Sequence, residues 1–508
     1  MITRPSIEDL LTGLKRNLER TLAIGDSTDA ARLTIPVLIG LDRISDEWST
    51  WWQLLDEENQ DIEVTLASIG TIPPPRSHTD LESTNRALKD CLVEAIDRFD
   101  LPAIEPTSTD HKRVHASVLA LILRMLAREN QVAVAPPRVA PTSGGAAREV
   151  IPLPTLKEVL LRFLTSDLPA GATIQIEKLA RLPGGASREA WIFDLTIINR
   201  GETRFEPCIL MREPLASVLV SDSSATNIDG TRRTVVTEIR VVRAMRTAGL
   251  PVPEVLWADT EGHWLERPFS IARRLPGSVD TAPLRDTPAM NTLLDEYVDL
   301  LVKIHALDPA KAGVQFLGAP TTQSAALEQV DLMAKNFEGQ RLEAFPAITW
   351  LIRWLRKTAP EAARVSVVHG DYRLGNFLQE SGHIIAVLDW EQVHLGDAME
   401  EIAFMYWELW TLEPIIPIAE FVRRYQSRSG TLIDQKALAW YRLFIELKML
   451  VVLLTGSRSY FATEERQLQY SGPQTNQMVR EAELRAMLEL ARGEPTVAFD
   501  AWKAAPDK

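Results

Sequence analysis

Apolar residues recur at helical spacing through the first quarter of the chain. They then fall into short alternating runs, and return to helical spacing nearly to the end. Ser6 stands three residues before Asp9, a capping-box-like start, and Ile7, Leu10, Leu11, Leu14 and Leu18 follow along one face. Further helical patterns cover 33–55, 80–99 and 111–128, so residues 1–130 read as an all-helical domain of about four helices. Residues 131–155, rich in Pro, Ala and Gly and without periodicity, read as a linker. Strand-like runs at 173–179, 190–196 and 206–212 precede a helical pattern at 232–248 and an extended run at 268–275. From 276 onward, 285–310, 340–357, 407–430 and 435–454 read as helices, and 455–508 as a polar helical tail. The pattern therefore predicts an α+β region, β-rich over 156–275 and helical over 276–508, behind a helical front.

The chemistry gathers in one stretch, VVHGDYRLGNFLQESGHIIAVLDWEQVHLGDAMEEIAFMYW, residues 367–407. Phe377 and Leu378 resume extended character, Ser381-Gly382 supplies turn chemistry, and 384–388 is an apolar run that reads as a buried strand. With Ser381-Gly382 at the tip, antiparallel pairing brings Asn376 and Asp389 to one end of the hairpin. Asp371 lies on the loop just before. Two carboxylates and an amide then converge, and oxygen-only ligands suit Mg²⁺, which completes its shell with substrate phosphate oxygens. Taken singly, Asp371 and Asn376 are ordinary turn formers and Asp389 an ordinary strand end; the set is what carries the reading. Kinases use the same kit: an Asp that accepts the hydroxyl proton, an Asn shortly after, and an Asp beyond the next strand that holds metal.

HGDYRLGN, followed by LDWE and LGDAMEEIA, resembles the aminoglycoside phosphotransferase and choline-kinase-like group of small-molecule kinases. The resemblance implies a protein-kinase-like bilobal fold, with a small β-rich N-lobe over 156–275 and a larger helical C-lobe over 276–508. It implies ATP and Mg²⁺ as cofactors, Asp371 as catalytic base and Asn376 and Asp389 as metal ligands. His369, Arg373 and Asp397 would brace the loops. It also implies that Gly184, Gly185 and Ser187, between the first two strands, lie over the phosphates, where glycine lets backbone N–H groups approach. Arg212 stands where the family usually has a lysine on the third strand, with Glu238 on the following helix as its orienting partner. The run 268–275, including Arg274, would meet adenine at the junction between lobes. The motif ending at His305 (LLVKIHALD) matches a family helix, and His305 reads as structural. The front 130 residues lie outside the resemblance.

Bulk properties narrow the partners. The 508 residues carry a net charge of −14 and no Lys/Arg block, so no nucleic-acid partner is expected. Cys91 and Cys208 form neither a disulfide framework nor a zinc spacing, the acidic residues in MITRPSIEDLL are unlike a secretion signal, and the apolar runs at 118–123 and 443–454 are too short to span a bilayer. A cytoplasmic protein with no membrane association is expected, with homo-oligomerisation left open. The activity expected is ATP- and Mg²⁺-dependent phosphorylation of a hydroxyl on a small molecule. HGDYRLGN looks closest to the branch that accompanies fatty-acyl and hydroxyacyl metabolism. Three alternatives stand beside it: an aminoglycoside or macrolide phosphotransferase, a nucleotide-binding regulatory module with little turnover, and a metal-dependent phosphohydrolase. The last wants more histidines than His369 alone.

Overall fold

The computed structural model describes residues 52–76, 80–131, 151–169, 171–182, 188–213, 235–341, 343–462 and 473–492. Outside them fall the expected helix at 6–18, most of the linker, the end of the tail, and Gly184, Gly185 and Ser187. The chain divides into two compact units, one of residues 1–144, 327–360 and 439–508, the other of 145–326 and 361–438.

The second unit carries the sheet. Helix α4 (Leu153–Ser166) leads into β1 (Thr173–Arg181), β2 (Glu189–Asn199) and β3 (Glu202–Arg212); α5 (Val235–Thr247), β4 (Val255–Asp259) and β5 (Phe269–Arg273) follow. All strand pairs are antiparallel, in the order β1-β2-β3-β5-β4. Three meandering strands, one helix and two further strands in this order make the sheet of a protein-kinase-like α+β fold. Alternation sends Trp191, Phe193, Leu195, Cys208, Leu210, Phe269 and Ile271 to one face, where they close a core with Leu156, Leu160 and Phe163 of α4. The same unit holds α6 (Pro288–His305), the small pair β6 (Ser366–Val368) and β9 (His394–Gly396), and the hairpin β7 (Phe377–Glu380)–β8 (His383–Val387). Helices α9 (Ala398–Met405) and α10 (Ile418–Ser429) come after.

The first unit is helical. Residues 52–68 (α1), α2 (Leu81–Arg98) and α3 (Thr109–Gln131) bury Ile62, Leu66, Leu88, Leu92, Val118 and Leu121, and Trp350 of the helix Pro346–Lys357 and Met487 of the helix Pro473–Ala491 complete that core. The front helices thus share their apolar centre with segments far along the chain. Within it Lys89 is buried against Glu58 at 3.2 Å and Glu129 at 3.5 Å. Burial alone would lower the Lys89 pKa; the two carboxylates outweigh it and hold the ammonium charged. No helix among the described residues is long and apolar enough to cross a membrane.

Candidate active site

The hairpin tip is the two-residue Ser381-Gly382 turn, both residues at positive φ (53° and 88°), as the sequence reading expects. Register pairs Phe377 with Val387, and Leu388 N–H donates to the Asn376 carbonyl at 2.8 Å. Asn376 and Asp389 therefore sit at the same end. The Asn376 amide donates to the Asp371 carboxylate at 2.7 Å and to its carbonyl at 2.8 Å. The other Asp371 oxygen accepts from Arg373 Nε at 3.1 Å. Asp371 and Asn376 are thus joined, and Asp389 follows Leu388 at the same end of the hairpin.

Asp389 occupies the left-handed region at φ 63°, a conformation that costs a non-glycine residue roughly 1 kcal/mol or more and that persists only where its surroundings impose it. Burial, with Glu391, Glu238 and Asp371 close by, pushes its pKa up to about 8 against the pull of Arg188. A carboxylate so destabilised in its charged form, beside further acidic groups, is what a divalent cation would relieve. Among the described residues no three His, Cys, Asp or Glu side chains are placed to hold a metal by themselves. Asn376 and Asp389 would thus need phosphate oxygens and water to complete a shell, which suits Mg²⁺.

His369 ties the two loops together. Its Nδ1 accepts from Asp371 N–H at 3.2 Å, so the proton lies on Nε2, which donates to the Leu388 carbonyl at 2.9 Å. Its ring packs on Trp390 at 4.5 Å. Gly370, at φ 85°, lies so close to the Gln392 carbonyl that a Cβ would collide with it. Arg373 braces Asp371 and lies over the Trp410 ring at 5.5 Å. Asp397 caps α9, accepting Met399 N–H at 3.0 Å, and burial raises its pKa to about 6. Tyr297 of α6 and Tyr372 exchange hydrogen bonds, each hydroxyl donating to the other's carbonyl at 2.9 and 2.7 Å. His305 meets the Tyr425 hydroxyl through Nδ1 at 2.9 Å and lies 3.9 Å from Glu401.

The expected pairing of Arg212 with Glu238 is corrected. Arg212 Nε donates to Glu189 at 2.7 Å, its Nη1 reaches the Leu265 carbonyl at 3.2 Å, and the guanidinium lies over Trp191. Its cross-strand partner is Glu189, and that pair faces the side covered by α4 because it shares parity with Trp191 and Leu210. Glu238 instead lies 3.4 Å from Arg188. Arg274 donates to Asp194 on β2 at 2.7 Å, while its backbone N–H donates to the Pro207 carbonyl. The segment after it pairs with the hairpin through Ser278 and Gln379, each N–H donating to the other's carbonyl at 2.9 Å.

Two residues within quoted motifs take positions that their local sequence did not announce. Glu401, fully buried, accepts His369 N–H at 2.6 Å and Gly370 N–H at 3.0 Å. Glu391 lies 3.4 Å from Arg188. Their signal was only their place in LGDAMEEIA and LDWE.

Residues 200–443 match the model of the phosphotransferase enzyme family. Mouse acyl-CoA dehydrogenase family member 10 is 30% identical over 174 residues, 33% of this chain and 16% of that protein. Hygromycin-B 4-O-kinase of Escherichia coli is 26% identical over 224 residues, 41% of this chain and 62% of the kinase. The chain spans less than two thirds of the length of these curated relatives. Among solved structures, an aminoglycoside phosphotransferase homologue from Ralstonia eutropha JMP134 has a TM-score of 0.49 at 19% identity, covering 65% of this chain and 98% of that one.

Proposed function

We propose that this protein transfers the γ-phosphoryl group of ATP to a hydroxyl of a small molecule. The observation that supports this most is the Asp371 carboxylate, held by Asn376 at 2.7 Å at the hairpin end that also carries Asp389. Asp371 is the base: two fixed donors orient its oxygens, and a remaining lone pair accepts the acceptor's hydroxyl proton as the new bond forms. Asn376 and Asp389 would hold Mg²⁺, which supplies charge neutralisation on the phosphates. His369 keeps Asp371 and Leu388 in register, and Arg373 holds the base from the other side. Catalysis of this kind is mostly positioning and charge stabilisation, which fits so small a set of side chains.

The partial match to acyl-CoA dehydrogenase family members favours a metabolic alcohol, a hydroxyacyl compound among them, as acceptor. The match to hygromycin-B 4-O-kinase supports an antibiotic acceptor as the second reading. The test is phosphoryl transfer from ATP across hydroxyacyl compounds, sugars, small alcohols and aminoglycosides, with wild type and Asp371→Asn. Turnover with one class, falling about 10²- to 10⁴-fold in the variant while nucleotide still binds, supports the reading. Near-wild-type turnover in Asp371→Asn overturns the base assignment.

A further inference from the structure

A kinase-like site needs a cation on the triphosphate, oriented by a glutamate from the helix beside the sheet. Arg212 ends β3, where that cation is expected, but it is committed elsewhere. It is buried at 1% exposure, its guanidinium lies 2.5 Å from Glu189, and it faces the α4 side of the sheet.

Arg188 immediately precedes β2, so alternation turns it away from the side its neighbour Glu189 takes. Its guanidinium lies 3.4 Å from Glu238 of α5 through Nε and 3.4 Å from Glu391 through Nη1. Both separations exceed the roughly 2.7–2.9 Å of a well-formed charge-assisted hydrogen bond. Arg188 also lies within electrostatic reach of Asp389, whereas the Arg212 guanidinium meets Glu189, the Leu265 carbonyl and the Trp191 ring.

We propose that Arg188, and not Arg212, is the cation that binds the nucleotide phosphates, presented at the start of β2 and oriented by Glu238 and Glu391. The proposal rests on the phosphotransfer reading above. An arginine replaces the usual lysine and comes from the neighbouring strand, because the Glu189–Arg212 register rotates the last residue of β3 out of reach. Guanidinium can engage two phosphate oxygens at once while keeping a carboxylate neighbour, so the orienting pair survives binding.

The experiment is calorimetric binding of Mg·ATP, Mg·ADP and adenosine to the full chain, wild type against three variants. Arg188→Met is expected to weaken Mg·ATP binding roughly 10- to 100-fold and adenosine binding hardly at all. Arg188→Lys, which keeps the charge, should recover part of the loss and serves if the methionine variant misfolds. The double change Arg212→Met with Glu189→Leu removes a buried pair together and should leave Mg·ATP affinity within about threefold. Loss of affinity in that double variant with none in Arg188→Met would overturn the assignment and leave the phosphotransfer reading standing. Wild-type protein that binds no nucleotide at all would overturn both.

Discussion

Glu401, on α9, accepts the backbone N–H of His369 at 2.6 Å, so a helix laid down after the hairpin fixes the loop that carries Asp371. Burial opposes ionisation of Glu401, and the neighbouring histidines and the His369 amide outweigh it, holding its pKa below the ordinary value. The carboxylate is thus an internal anchor with two N–H groups converging on it.

Glu401→Gln keeps one acceptor and loses the charge. It is expected to lower kcat by about 10-fold or more and to weaken Mg·ATP binding by less, since the anchored amides of His369 and Gly370 lie next to the base in the chain. Steady-state kinetics beside calorimetry checks this; a loss confined to nucleotide affinity would contradict the anchoring role.

Tyr297 and Tyr372 lock the same loop from α6 by exchanging hydroxyl-to-carbonyl bonds. Tyr297→Phe and Tyr372→Phe should each cost about 1–3 kcal/mol, because each strands a buried carbonyl. The double variant should cost less than the sum if the two bonds support one another. Denaturant titration of the four proteins measures it.

Asp389→Ala should erase the gain in ATP affinity that Mg²⁺ confers, so that titrations with Mg²⁺ and with EDTA superimpose. Asn376→Ala should give a smaller loss of the same sign, because an amide oxygen brings no net charge to the cation.

Glu483, in the helical unit, is pushed up to about 8 by burial and by Glu129, against the pull of Lys89. The folded state therefore holds this proton more tightly than the unfolded chain. The contribution of Glu483 to stability is highest below the ordinary carboxylate value of 4.5, falls as pH rises from there towards 8, and stays lowered above. At pH 7 the cost is on the order of 3 kcal/mol. Glu483→Gln should raise the denaturation midpoint at pH 7–8, leave it nearly unchanged at pH 4.5, and flatten the slope between.

The sequence by itself determined what depends on near neighbours. Ser381-Gly382 dictates a tight hairpin, the hairpin register sets Asn376 beside Leu388 and Asp389, and the short spacing from Asp371 to Asn376 lets one loop join them. Alternation also made the runs in β1 to β3 legible as strands. Tertiary structure decided what depends on faces and on distant segments. Whether Arg212 or Arg188 meets Glu238 turns on one step of strand parity, because neighbouring residues point to opposite sides of a sheet. Glu401 reaches His369 only after β6, β9 and α9 are stacked. Trp350 and Met487 close a core begun by Leu66 and Leu92, contacts that no local period encodes.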